Sequence, residues 1–215
     1  HVWLLVGFEG SPLLMALFMS RTMCEANMGR TVLIVGGGGR EHALALGLVE
    51  SPSVDSVHVA PGNAGTEAIA TNHDVSAADV VGQVELAKSL GVDLVVVGPE
   101  APLVAGLSDL LRTEGIPSFG PHAAGAMLEG SKDFAKQVML DLEIPTAKVQ
   151  HLTAEIDLDE AVDKWGAPWV VKRDVLAGGK GVVVTDNRDE ALDFITESIE
   201  SDGMVLLEEF LSGEE

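Results

Sequence analysis

From Thr31 onward the chain alternates short apolar runs with longer stretches of helical period. The apolar runs are Thr31 to Val35, Val54 to Ala60, Leu94 to Val97 and Ile116 to Phe119; in the second, Val54, Val57 and Val59 supply the apolar positions. Between them, Arg40 to Glu50, Ala77 to Leu90 and Leu103 to Glu114 are predicted as helices. Continuous apolar strands between helices mark a parallel sheet covered on both faces, so this part is predicted to be an α/β unit. Ligands of such sheets bind beyond the carboxyl ends of the strands. The glycine and proline turns at 36–39, 61–65 and 98–102 fall at those ends and form one candidate rim.

A second unit begins near Ser131, a good helix N-cap. Phe134, Val138, Met139 and Leu142 make one face of the helix that follows, with Lys132 and Lys136 one turn apart on the opposite side. Pro145 closes that helix. An extended stretch from Ala147 to Leu152, a helix from Leu158 to Trp165 and a strand from Trp169 to Val171 come next. A glycine-rich turn, a strand from Val182 to Val184, a helix from Arg188 to Ile199 and a strand from Gly203 to Leu207 complete the order, which is α+β. Neither an internal repeat nor a low-complexity linker is visible.

Composition narrows the function classes. Hydrophobic residues are 47% of the 215, enough for packed cores and too many for a disordered chain. The formal charge of −21, from 34 acidic and 13 basic residues, opposes binding to nucleic acid or to an anionic membrane. A small anionic substrate is still compatible with a locally positive pocket. One cysteine, Cys24, excludes an intramolecular disulfide and a cysteine-cluster metal site, and the six histidines lack metal-ligand spacing. The expected setting is cytoplasmic. Val2 to Met19 is apolar but interrupted by Gly7, Glu9, Gly10, Ser11 and Pro12, too broken for a membrane span. It also lacks the basic start and cleavage site of a signal peptide. Met28, just before the first clean strand, is the expected true start. Glu208 to Glu215 reads as a turn leaving the last strand with no completing element, so the chain is expected to be a fragment.

Two glycine-rich turns carry candidate chemistry. In Val170 to Val184, Lys172 lies on a strand and Lys180 lies in a turn with Gly178, Gly179 and Gly181. Such glycines let main-chain N–H groups approach a charged ligand. The β-branched run after them is no helix, which excludes a P-loop. Two readings stay open for this segment alone: a flap over a nucleotide, or a tight hairpin with a solvated lysine. The other turn, Gly36 to Gly39 followed by Arg40, Glu41 and His42, joins a strand to a helix, where an anion is well placed. As a dinucleotide fingerprint it fails at Glu41, and no acidic residue ends the second strand to hold a ribose. Phosphate or a phosphosugar is therefore favoured over NAD, while His42 alone reads as a packing residue. Pro61-Gly62-Asn63 and Gly98-Pro99-Glu100 are ordinary turns in isolation. As a set with the first loop they suggest a site in which Asn63 and Glu100 bond sugar hydroxyls or an amine.

The order of Val32 to Ala43, Ala60 to Thr66, Val97 to Val104, Glu129 to Lys132, the 172–181 flap and Glu208 to Glu215 resembles the phosphoribosylamine–glycine ligase family of the ATP-grasp superfamily. The resemblance runs from about Thr31 to Glu215. It implies three segments: an extension over 1–29 outside the family, a Rossmann-like phosphoribosylamine-binding domain over 30–130, and a partial ATP-grasp domain over 131–215. It also implies that Lys132, Lys172, Gly178, Gly179, Lys180 and Gly181 hold the ATP phosphates or adenine. By the same resemblance Glu208, Glu209, Phe210 and Leu211 would form the adenine hinge, with Glu215 on the ribose. Gly38, Gly39, Arg40, Glu41, Pro61, Gly62, Asn63, Gly98, Pro99 and Glu100 would bind the phosphosugar. The family usually carries Asn at Gly37, Ala at Arg173 and Gly at Val175, so this flap is stiffer and bulkier than its relatives.

The reaction implied is ATP-dependent joining of glycine to 5-phosphoribosylamine, giving glycinamide ribonucleotide, ADP and phosphate through a glycyl phosphate. Cofactors are ATP with Mg2+ or Mn2+, the metal ligands lying outside this chain. No catalytic base is named, because positioning and charge neutralisation carry such phosphoryl transfer. The implied protein is a cytoplasmic monomer when complete, and the 215 residues alone are expected to be inactive. The alternatives are another ATP-grasp carboxylate–amine ligase or carboxylase, which the first-domain motifs disfavour, and a non-catalytic nucleotide or phosphosugar-binding module.

Overall fold

The computed structural model describes residues 29–176 and 180–213. The expectations placed on residues 1–28, Gly178, Gly179 and Glu215 lie outside the described residues. The chain up to Pro99 with Leu110–Gly120 makes one compact unit, and Glu100–Asp109 with the chain from Pro121 onward makes another.

The first unit is built on a parallel sheet of β1 (Arg30–Gly36), β2 (Val54–Pro61), β3 (Thr71–Asn72), β4 (Leu94–Val97) and β5 (Ser118–Phe119). Its order is β3-β2-β1-β4-β5. Helices α1 (Gly39–Val49), α2 (Ala64–Glu67) and α3 (Val80–Leu90) connect the strands. Val32 and Ile34 of β1 pack with Ala45, Val57, Val59 and Val96, while Leu33 and Val35 on the other face are equally buried. That double burial is why β1 is an unbroken apolar run. Strand order reverses at β1, so the crevice of this sheet lies beyond the carboxyl ends of β1 and β4. The four residues of α2 and the two of β3 are too short to leave a periodicity, and neither is legible from the sequence.

The second unit holds α4 (Glu100–Val104), the start of α5 (Leu107–Thr113), α6 (Ala123–Gly130) and α7 (Lys132–Asp141). It continues with β6 (Val149–Thr153), α8 (Leu158–Trp165), β7 (Trp169–Arg173), β8 (Val182–Thr185), α9 (Arg188–Asp202) and β9 (Met204–Glu208). The strands form an antiparallel sheet in the order β6-β9-β7-β8. Leu152, Val162, Trp169, Val171, Ile195, Val205 and Leu207 form its core, and the Trp169 indole donates to the Val162 carbonyl at 2.9 Å. Arg188 at the start of α9 reaches back to Asp163 and Asp159 of α8.

Three expectations change. The single helix from Leu103 to Glu114 is two, because Gly106 turns the chain with φ 91° between α4 and α5. Helix α6, rich in alanine and glycine, is present where none was expected. Helix α7 does not keep its two expected faces apart: Met139, grouped with Phe134, Val138 and Leu142, lines the same cavity as Lys132 and Lys136, while Phe134 and Leu142 are exposed and Lys136 is only 5% exposed.

Candidate functional site

In the first unit the rim turns come together. Gly36 leaves β1 with φ 127°, and its carbonyl accepts from Gly62 N at 3.1 Å. A Cβ on Gly37 would lie 2.7 Å from the Gly62 carbonyl oxygen, so glycine permits the close approach of the two loops. The Asn63 amide donates to the carbonyls of Gly37 (3.0 Å) and Gly38 (3.2 Å). Its oxygen accepts from Gly65 N and Thr66 N, capping α2. Asn63 therefore builds the rim with its side chain.

Glu41 is buried beneath the first loop, its carboxylate accepting from Gly38 N at 2.6 Å. Gly98 lies against it: a Cβ there would meet Glu41 Oε1 at 2.0 Å, and one on Gly36 would meet Glu41 Cγ at 2.7 Å and Pro99 Cδ at 2.9 Å. Gly36, Glu41, Gly98 and Pro99 thus interlock, with cis Pro61 and Gly62 alongside. Gly39 is different, with open space where a Cβ would stand. Arg40 beside it is exposed at the positive end of α1, the electrostatics of an anion site. Glu100, expected on this rim, belongs to the second unit.

The second unit contains a cavity of about 920 Å³, a size suited to a small-molecule ligand. It gathers Lys132, Lys172, Gly181, Glu208, Glu209, Phe210 and Leu211 of the expected nucleotide residues, together with Glu100. Lys180 is exposed and does not line it. Met139, Ala147, Val170, Val182 and Val184 supply an apolar lining. Lys172 Nζ, carried by β7, lies 2.8 Å from Glu208 Oε2 at the end of the neighbouring β9. Glu209 N bonds the Lys148 carbonyl at 2.9 Å, which ties the segment after β9 to the entry of β6.

The base of the flap is held from below. Lys132 Nζ donates to the carbonyls of Arg173 (2.8 Å) and Val175 (3.1 Å). Ser131 Oγ and Asp133 N both donate to the Asp174 carboxylate, at 3.0 and 3.1 Å. Arg173 N closes the stem on the Gly181 carbonyl at 2.8 Å. Its guanidinium pairs with Asp202, a contact that raises the arginine pKa and holds the Asp202 carboxyl below its usual range.

Lys136 was not among the expected residues. Its spacing of four from Lys132 was the available signal, since that spacing puts both on one helical face. Among the described residues no cluster of three or more His, Cys, Asp or Glu side chains fits a metal ion. Nor is any described helix long and apolar enough to cross a membrane.

Two family models match consecutive parts of the chain: phosphoribosylglycinamide synthetase, N domain, over residues 30–129, and phosphoribosylglycinamide synthetase, ATP-grasp (A) domain, over 130–215. The phosphoribosylamine–glycine ligase of Streptomyces coelicolor is 50% identical over 184 residues, covering 86% of this chain and 43% of that protein. The crystal structure of phosphoribosylamine–glycine ligase from Thermotoga maritima superposes with a TM-score of 0.65 at 33% identity, over 86% of this chain and 44% of that one. A D-alanine–D-alanine ligase from Bacillus anthracis, complexed with ATP, shares the fold with a TM-score of 0.62 at 18% identity, over 86% of this chain and 58% of that one. The chain thus spans less than half the length of the curated relatives it matches.

Proposed function

The chain belongs to the phosphoribosylglycinamide synthetase family, and from that premise we propose that the complete protein joins glycine to 5-phosphoribosylamine with ATP. The products are glycinamide ribonucleotide, ADP and phosphate, a step of purine synthesis. The observation that carries the reading is the cavity of the second unit, where Lys172 and Glu208 pair beside an apolar slot. That lining fits an adenine nucleotide: a carboxylate acceptor and an ammonium donor for the polar edge of the base, and aliphatic walls for its faces. Lys132, Lys172, Gly181, Glu208, Glu209, Phe210 and Leu211 would hold ATP there. Gly178, Gly179, Lys180 and Glu215 complete the proposed set. The interlocked rim of the first unit, with Gly38, Gly39, Arg40, Pro61, Gly62 and Gly98 around it, would take the phosphosugar.

A carboxylate and an amine do not condense at neutral pH, because oxide is a poor leaving group. Bound ATP supplies the phosphoryl group that turns the glycine carboxylate into an acyl phosphate, which the amine then opens. This chain's part is to hold and neutralise: Lys172 and Lys132 bring positive charge to the cavity, and the backbone N–H groups at the start of α1 would face the anionic group of the phosphosugar. No described side chain is needed as a nucleophile. Mg2+ or Mn2+ would accompany the nucleotide, but no described cluster fits the ion, and no step is assigned through it. The proposed setting is a cytoplasmic monomer. Incubation of the product of the full gene with ATP, glycine and 5-phosphoribosylamine tests the reading. ADP release should require both other substrates; release independent of either would overturn it.

A further inference from the structure

Lys136 is the most deeply buried cation of the described second unit, and the proposed chemistry leaves it without a role. Its Nζ donates to Thr146 Oγ1 at 2.7 Å and to the Ala147 carbonyl at 2.9 Å. It also stands 3.5 Å from Glu208 Oε2, the oxygen that Lys172 approaches from β7 at 2.8 Å. Glu208 is itself only 4% exposed. One carboxylate oxygen therefore accepts a hydrogen bond from an ammonium group on a strand and stands within ion-pair distance of a second on a helix. The other, Oε1, accepts no hydrogen bond among the described residues.

A buried lysine is costly unless its charge and its donors are matched. Here they are matched by a hydroxyl, a carbonyl and a shared carboxylate, all at the wall of the cavity. The arrangement would restrict which way Glu208 points. Lys172 alone cannot do so as firmly, because its side chain is 30% exposed and stands at the cavity edge. Lys136 is clamped on a helix and on the segment entering β6, so it has no freedom to follow a carboxylate that rotates.

We propose that Lys136 is a positioning residue that locks the Glu208 carboxylate toward the ligand, and so sets the preference of the cavity for a purine bearing a donor at position 6. The proposal rests on the nucleotide reading of this cavity. A carboxylate only accepts hydrogen bonds, so a 6-amino group satisfies it and a 6-oxo group faces it oxygen to oxygen. That contrast is sharp only while the carboxylate is held still. A Glu208 released from Lys136 turns away and penalises the 6-oxo purine less.

The test is calorimetric titration of the product of the full gene with ATP and with ITP, for wild type, Lys136→Met, Glu208→Gln and the double variant. Circular dichroism checks that each is folded. Wild type should prefer ATP. Lys136→Met should weaken ATP binding roughly tenfold and shrink the ATP-to-ITP ratio, and the double variant should be no weaker than Glu208→Gln alone, because the two residues act as one unit. Lys136→Gln, which keeps a polar partner for Thr146, replaces Lys136→Met if the latter does not fold. Unchanged selectivity in a folded Lys136 variant, or losses that simply add, would overturn the proposal. Failure of both variants to fold would assign Lys136 to the fold instead, and would overturn it equally. If wild type binds neither nucleotide, the reading of the cavity itself falls.

Discussion

The Arg173 guanidinium grips Asp202 with two hydrogen bonds, Nε to Oδ2 at 2.6 Å and Nη2 to Oδ1 at 2.8 Å, and so pins the stem of the flap to the end of α9. Sequence reasoning flags Arg173 as unusual for the family, and the structure supplies its partner. The contact holds the Asp202 carboxyl below its usual range, so its stabilisation is present above the ordinary carboxylate pKa and is lost as pH falls through the lowered value. Arg173→Ala should lower the thermal midpoint at about pH 7, and the gap from wild type should close on acidification to below about pH 3. A gap independent of pH would mean that the arginine acts through packing alone.

The Glu41–Gly98 contact makes a contrasting pair of variants. Gly98→Ala drives a methyl group to 2.0 Å from Glu41 Oε1, forcing the side chain from under the loop. Overpacking of this kind costs about 1–3 kcal/mol of stability. Gly39→Ala meets open space and begins a helix, so it should leave stability nearly unchanged. Chemical denaturation of both variants checks this; equal losses would show that the interlock beneath the rim is slack.

His58 on β2 and His73 after β3 meet with ring nitrogens 3.0 Å apart. Burial, and then repulsion from His73, lower the pKa of His58 below 6.5. The folded state thus takes up a proton less readily than the unfolded one, and stability should fall as pH drops through the ordinary histidine range. Wild type should lose more thermal midpoint between about pH 7 and about pH 5 than His58→Gln does. Parallel curves would show that His58 does not titrate with folding.

The two lysines of the flap region separate by their supports. Lys172 is set on β7 and paired with Glu208, whereas Lys180 is exposed and outside the cavity lining. A charge-assisted contact contributes about 1.5–3 kcal/mol, so Lys172→Ala should weaken ATP binding by roughly one to two orders of magnitude. Lys180→Ala should cost less, since ordering an exposed side chain offsets part of the gain. Dissociation constants for the two variants decide it, and an equal or greater loss at Lys180 reverses the assignment.

The parallel sheet was legible because β1 and β4 are buried on both faces and read as unbroken aliphatic runs. The rim was legible too, since its glycines mark where β1 and β2 end and where the chain leaves β4. What periodicity misreads is α7. An apolar-inside rule points Phe134 and Leu142 inward, but the cavity lies on the lysine side, and matched partners let Lys136 be buried while those two are exposed. Helix α6 was hidden for a simpler reason: Ala123-Ala124-Gly125-Ala126 carries too little contrast between faces to show a helical stripe. The break at Gly106 depends on a left-handed turn that a glycine permits but does not announce.

The proposed activity of the complete protein is activation of glycine with ATP and its transfer to 5-phosphoribosylamine. Glycine labelled with heavy oxygen in its carboxylate tests it most directly, using the product of the full gene and mass spectrometry of both products. The account predicts glycinamide ribonucleotide that retains one labelled oxygen, and inorganic phosphate that gains the other, because the carboxylate oxygen attacked phosphorus before the amine displaced it. Glycinamide ribonucleotide accompanied by unlabelled phosphate, or ADP release with no such product, would contradict it.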